Sequence, residues 1–313
     1  MLFIKSDYRY CRKIPRDILK KYEAKDIPIG SSLSKEELEE YQNKKRVGID
    51  PGTFVTIQMA DDEGNSLRYT VKRKNYESYS TCHKKTREQM RQKDGVIEIE
   101  QILENTTSKT LDLEKFKEFL ILKNKVIEEV YEHYCQISYR KMRLRTFINL
   151  RKSEDQFLDE IEKVFGSDIV IGYGNWSRNS TMRGLLPSKG KGMRRIISHR
   201  FKCLSIDEFN TSQKCHKCGK QLQKCYDRKS KKIHRCLVCI ECLSQENNMG
   251  NRIYMNRDIN GALNILKCLN AILNGSERPE SLRRSKSDND FGCQHGPSLK
   301  LVLKFRSGSK PAL

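Results

Sequence analysis

Residues 46–71, RVGIDPGTFVTIQMADDEGNSLRYTV, carry the first dense run of apolar and β-branched positions. Turn signals at Pro51-Gly52 and Glu63-Gly64-Asn65 interrupt that run, which predicts a strand followed by a hairpin. The preceding segment is charged, poor in core residues and ends in NKKR. From residue 84 to 166 the period changes. Phe116, Phe119, Leu120, Val126, Ile127, Val130, Tyr131 and Tyr134 recur at helical spacing, with Lys123 interrupting the face and Leu111 or Asp112 near its start. A second helical face carries Phe157, Leu158, Ile161, Val164 and Phe165, closed by Gly166 as a C′ residue, and reads as core packing.

SDIVIGYGNWS (167–177) then predicts a buried strand, and LLPSKGKGMRR (185–195) a basic, Gly-rich loop that is either solvated surface or a phosphate contact. FKCLSIDEF (201–209) predicts another short strand. NRDINGALNILKCLNAIL (256–273) has the helical period, with Asn256 as N-cap and Gly275 as stop. The tail from SERPESLRRSKSDND onward is polar and predicts weak order. This gives an N-terminal segment 1–45, a main domain 46–275 containing a helical insertion (84–166) and a cysteine-rich unit (211–250), and a basic tail 276–313.

Charge narrows the function. The 313 residues hold 61 Lys+Arg against 40 Asp+Glu, a net +21, which favours a polyanionic partner. Nucleic acid leads. A membrane surface is the weaker candidate, because no stretch approaches the roughly 18 apolar residues of a spanning helix. MLFIKSDYRYCRK also lacks the apolar core of a secretory signal. Of the 12 cysteines, Cys215, Cys218, Cys225, Cys236, Cys239 and Cys242 fall within 28 residues, which reads as metal ligation in a reducing compartment. Cys215-x-x-Cys218 and Cys239-x-x-Cys242 are separated by 20 residues, close to the spacing of a zinc ribbon whose four thiolates hold a structural Zn²⁺. Cys236-x-x-Cys239 also satisfies the spacing. Cys239 and Cys242 are favoured because Cys236 lies in the apolar-leaning run HRCLVC.

Three carboxylates stand out. Asp50 ends a strand before Pro-Gly, Glu208 ends the strand 203–209, and Asp258 sits in the first turn of a helix. Taken singly, they read as a turn former, a lysine partner and a helix-dipole residue. Together, in a strongly basic chain, they suit a cluster that holds two Mg²⁺ ions and acts on a phosphodiester.

The order GIDPG, IDEFNTSQKCHKCG, a second CxxC and NRDINGALNI resembles the TnpB–Fanzor family of transposon-associated RNA-guided endonucleases, over about residues 46–284. The resemblance implies an α/β RuvC-like nuclease domain of the RNase H fold, with a five-stranded mixed central sheet, flanking helices and an inserted zinc ribbon. It implies that Asp50, Glu208 and Asp258 form the metal-binding triad. In bacterial members the glutamate ends the strand that here reads DIVIGYGNWS, which carries no carboxylate between Ile169 and Ser177. The GNW strand end, the KGKG loop, the glutamate in DEF and Arg278-Pro279 look similar to the eukaryotic and viral Fanzor branch. Asp207 should face away from Glu208 by the period-two rule. About 46 residues precede the first motif, so the wedge and recognition domains of the family are expected to be missing.

The expectation is a Mg²⁺-dependent, RNA-guided DNA endonuclease, intracellular and nuclear in a eukaryotic or viral setting, with a guide RNA and a DNA target as partners. Lys189, Lys191, Arg194, Arg195, Lys231 and Lys232 are the candidate phosphate contacts. The alternative is a family remnant that binds nucleic acid through its ribbon without cleaving it. A strand transferase is the third reading, set aside because the resembled family cleaves rather than joins.

Overall fold

Side-chain alternation along three parallel strands decides where the site can form. The computed structural model describes residues 33–176, 190–227, 229–242 and 253–284. Strands β1 (Lys45–Pro51), β2 (Val55–Ala60), β3 (Ser66–Thr70), β4 (Ile169–Gly174) and β5 (Lys202–Ile206) form one sheet in the order β3-β2-β1-β4-β5. β2 runs antiparallel to β1 and β3, while β4 is parallel to both β1 and β5. The protein is therefore α/β with a mixed five-stranded sheet. Gly64, at φ 90°, closes the β2–β3 hairpin where the Asp61 carboxylate accepts from the backbone N–H groups of Glu63 and Asn65.

The two faces of the sheet bury different helices. Val47, Ile49, Ile169, Ile171 and Tyr173 face α6 (Ile137–Phe165) and α7 (Gly190–Arg200), packing on Phe157, Ile161, Phe165 and Ile197. Alternate positions face the other way, so Val170, Leu204 and Ile206 pack on Ile265, Leu266 and Leu269 of α8 (Arg257–Leu273). Gly48 lies on the α8 side. A Cβ there would collide with the Ala262 carbonyl and sit 2.8 Å from Leu266 N, so only glycine lets α8 lie this close to β1. Further along, the Arg46 guanidinium donates to the side chains of Asn270 (3.2 Å) and Asn274 (2.9 Å), tying down the far end of α8.

The helical segment starts earlier than residue 84. Thr70 ends β3 and caps α2 (Val71–Glu77) by accepting from Arg73 N, and α3 (Ser80–Lys93), α4 (Val96–Gln101), α5 (Leu113–Cys135) and α6 follow. Asp112 caps α5, but only Val126 and His133 of that helix are buried. Periodicity gave the conformation of α5, not a partner for its whole apolar face, and Leu120, Tyr131 and Tyr134 remain exposed. Arg73 fastens the segment to α6 through paired bonds to Glu160 (2.7 and 2.6 Å), while Tyr69 of β3 shares a 2.6 Å hydrogen bond with Ser153.

Four boundaries differ from expectation. The loop over 185–195 becomes helix from Gly190, because Met193 and Ile197 bury one face of α7 and Tyr173 Oη donates to the Gly190 carbonyl. The strand over 201–209 stops at Ile206. The segment before residue 46 contributes α1 (Lys35–Gln42), whose Tyr41 packs with the α8 cluster. The start of the tail is also packed: Leu282 is buried and Arg278 donates to the Asp207 carbonyl at 2.8 Å. No described helix is long and apolar enough to cross a membrane.

The closeness of β1 and α8 predicts that Gly48→Ala lowers unfolding free energy in urea titration by about 3 kcal/mol or more. Gly192→Ala is the matched control. Among the described residues its added Cβ meets nothing within 4 Å, and helix propensity should raise stability by about 0.5 kcal/mol.

Candidate active site and metal centre

The chain leaves β5 at Ile206 and immediately builds the cysteine-rich unit. A turn over 209–219 leads to β6 (Gln223–Tyr226), β7 (Lys232–Cys239) and β8 (Ile253–Asn256), which form a three-stranded antiparallel sheet. The third strand extends past the expected limit at residue 250. β8 runs straight into α8, where Asn256 Oδ1 accepts from Asp258 N (2.9 Å) and Ile259 N (3.4 Å).

Cys215, Cys218, Cys239 and Cys242 bring their Sγ atoms within 4.8 Å of one another and could hold a zinc ion. Cys215 and Cys242 lie 3.8 Å apart, and Cys218 and Cys239 3.5 Å. Tetrahedral coordination at about 2.3 Å per Zn–S bond requires sulfurs about 3.8 Å apart, so the donor set and its spacing both fit. Cys236 stands outside this group, opposite Asn256 in the β7–β8 ladder. Four thiolates would close the coordination sphere and leave a structural ion with no position for substrate.

Two asparagines tie this unit to the main domain, and sequence reading missed both. Asn260 and Asn264, one turn apart on α8 and nearly fully buried, donate to the Lys214 carbonyl at 2.8 Å each and also to the Thr211 carbonyl. Asn260 Oδ1 accepts from His216 N at 2.9 Å. Their i, i+4 spacing on an otherwise apolar helix face was the available signal, but their targets come from a distant loop.

Asp50, Glu208 and Asp258 line one cleft of about 580 Å³, together with Trp176, Arg235 and Arg257. Parity explains the first two. Asp50 follows Gly48 on the α8 face, and Glu208 continues the Leu204–Ile206 alternation two residues beyond the strand. Asp207 turns away to Arg284 (3.2 Å) and Arg278 (3.7 Å). Two more glycines make room. A Cβ at Gly174 would collide with Glu208 Oε1, and one at Gly261 with Asp50 Oδ2. The carboxylates do not gather as tightly as the thiols, since among the described residues only the cysteine group meets within 4.8 Å.

Burial dominates the electrostatics of the cleft, and neighbouring acids add to it. Burial first, then the charges of Glu208 and Asp258, hold the Asp50 carboxyl well above its ordinary range, while Arg257 pulls the other way. Burial pushes Glu208 up to about 7, against the Trp176 N–H that donates to its Oε1 at 2.9 Å. Asp258 has Arg235 of β7 at 3.8 Å. The cysteine-rich unit thus contributes a cation to the cleft that sequence reading did not assign. Of the expected phosphate contacts, Lys189 lies outside the described residues and Lys191 falls in the first turn of α7. Arg194 and Arg195 lie further along α7, and Lys231 and Lys232 are exposed near the β6–β7 turn, none of the four lining the cleft.

Purified protein should carry one zinc, lost in Cys215→Ser and retained in Cys236→Ser by metal analysis, with chelation lowering Tm in the parent protein. A second expectation concerns pH. Folded Glu208 holds its proton to about pH 7, whereas the unfolded group releases it near 4.5, so the folded state binds more protons between these values. Stability without added divalent cations should therefore fall as pH rises from about 4.5 to 7. Glu208→Gln should remove roughly 2–3 kcal/mol of that slope in denaturant titrations at several pH values. No protein-family model matches the chain, and no curated protein matches it at a significant level.

Proposed function

We propose that this chain is a Mg²⁺-dependent endonuclease with an RNase H-like core of the RuvC type, acting on DNA under RNA guidance as the TnpB–Fanzor resemblance implies. The observation that carries this reading is the meeting of Asp50, Glu208 and Asp258 in one cleft, from β1, the end of β5 and the first turn of α8. The five-stranded mixed sheet with flanking helices agrees with the sheet that the resemblance implies. Hard carboxylate oxygens are the ligands Mg²⁺ prefers. Burial raises both Asp50 and Glu208, with the charges of Glu208 and Asp258 adding to the effect at Asp50, so a cation or protons would offset them. Bound there, Mg²⁺ would supply an activated water and neutralise charge on the phosphate.

The residues of the chain have distinct parts in this reading. Asp50 and Glu208 are the fixed ligands, each with its carboxylate in the space that a Cβ on the neighbouring glycine would occupy. Asp258 is the adjustable one, because its first-turn position and Arg235 partner leave it more open to solvent. Arg235 and Arg257 offer positive charge at the cleft rim for the phosphate backbone. The zinc ligands have no chemical part. They hold the loop after Glu208 and the strand before Asp258 in one rigid unit.

The test uses full-length protein with Mg²⁺ and circular single-stranded and duplex DNA, with and without RNA that copurifies with it. Wild type should nick DNA, and Asp50→Asn should lose roughly a hundredfold or more, the scale of removing a group that stabilises transition-state charge. Asp207→Asn should keep most of the activity. Salt-sensitive binding by wild type with no cleavage of any substrate would overturn the enzyme reading in favour of a binding protein.

A further inference from the structure

The carboxylate cleft does not end at its own rim. It shares Phe54 and Arg235 with a second cavity of about 620 Å³ over the β3–α2 junction, lined also by Arg68 and Lys72. That cavity shares Asn75 and Thr81 with a third, also about 620 Å³, between α2, α3 and α6. Through these shared residues the three adjoin in series, giving a groove that runs from the three acids onto the helical segment. None of its cations Arg68, Lys72, Lys85 and Lys152 forms an ion pair with a described residue, and all four are exposed. Glu77, an acid in the wall, is already engaged by Arg73 and Ser153.

Aromatic rings stand along the same line. Phe54 is 75 % exposed, Tyr76 81 % and Tyr79 55 %. Tyr79 also occupies the left-handed region at φ 58°, costly for a bulky residue, at the junction between α2 and α3. An Asn or Gly there would relieve that conformation, yet it presents a ring in the groove. Rings beside unpaired cations suit a polyanion whose bases are free to stack. A duplex has its bases already stacked and offers these rings nothing.

We infer that this groove binds single-stranded nucleic acid leading to the carboxylates, with Phe54 and Tyr76 as stacking platforms and Lys72 and Lys85 on its phosphates. The inference rests on the proposed nuclease reading for its direction toward the acids, but the binding itself does not depend on cleavage.

The experiment measures fluorescence anisotropy of a short labelled oligothymidylate with full-length protein carrying Asp50→Asn, so that binding is read without cleavage. Tyr76→Ala should weaken binding about tenfold, within the range seen when one stacking ring is removed, and Tyr76→Phe should stay within about twofold. Lys72→Ala with Lys85→Ala should weaken binding and reduce the salt slope by about 0.7 for each phosphate no longer neutralised. Lys115→Ala, on the exposed start of α5, should change neither. Circular dichroism matching the parent excludes misfolding as the cause. Unchanged affinity in both Tyr76→Ala and the lysine pair overturns the inference, as does equal competition by a duplex of the same length. If wild type cleaves but Tyr76→Ala and the lysine pair both bind normally, the groove falls and the nuclease stands. If Tyr76→Ala weakens binding and no substrate is ever cleaved, the reverse holds.

Discussion

Everything in the site depends on how closely α8 can lie on β1. Gly48 admits the Ala262 carbonyl and the Leu266 amide into the space where any other residue would carry its side chain. That single approach fixes the height of the helix over the sheet, and with it the distance from the first turn of α8 to the C-terminal ends of the parallel strands. Gly261 repeats the device one step closer to the cleft, where the Asp50 carboxylate takes the room a Cβ would need. Gly174 does the same for Glu208 on β4. The missing side chains at Gly261 and Gly174 make the room that both carboxylates occupy, so a larger residue at either position would displace an acid.

The cysteine-rich unit is fastened to that same helix at two points. Covalently, β8 continues into α8 with Asn256 as the cap, so Asp258 lies two residues from a ribbon strand. Through space, Asn260 and Asn264 satisfy the carbonyls of Thr211 and Lys214, and the loop between Glu208 and Cys215 cannot shift without leaving buried polar groups unpaired. Such groups cost about 1–3 kcal/mol each when orphaned. An ion held by the four thiols would therefore stabilise the positions of Glu208 and Asp258 together, although it touches neither. Disorder in the ribbon would reach the cleft first through the loop at 209–214 and next through Arg235, whose only described charge partner is Asp258.

The local features were legible in the sequence because each is decided within a few residues. The strand and hairpin over 46–71, the Asn256 cap, the stop at Gly275 (φ 65°) and the paired CxxC knuckles need no distant partner to be recognised. The helix from Gly190 was hidden by its two glycines and its basic residues, which look like a loop until Met193 and Ile197 find the sheet. On α5 the error ran the other way, since a convincing apolar period marks a helix but cannot supply something to cover it. Parity favoured Glu208 over Asp207 in the sequence, and the turn of Asp207 toward Arg278 and Arg284 agrees with that alternation. Asn260, Asn264, Arg235 and the space-making role of Gly174 had no local signature, because each acts on a residue many positions away.

Among the described residues, the cleft is where the chain works against its own stability. The core alternates cleanly between two sheet faces. In the cleft, by contrast, three acids share a cavity whose described cations, Arg235 and Arg257, are exposed and at the rim. Local rules would have placed an amide or an apolar residue at one of these positions, as satisfied buried groups are placed in the rest of the fold. In the proposed reading, a cation held among these acids would offset the cost of burying them. Such a cation would compete with protons for Asp50 and Glu208, whose carboxyls burial holds above their ordinary range. The groove beyond the cleft carries the opposite sign, so in the inferred reading a polyanion would be drawn along Lys72 and Arg235 toward acids that repel it unless a cation offsets them.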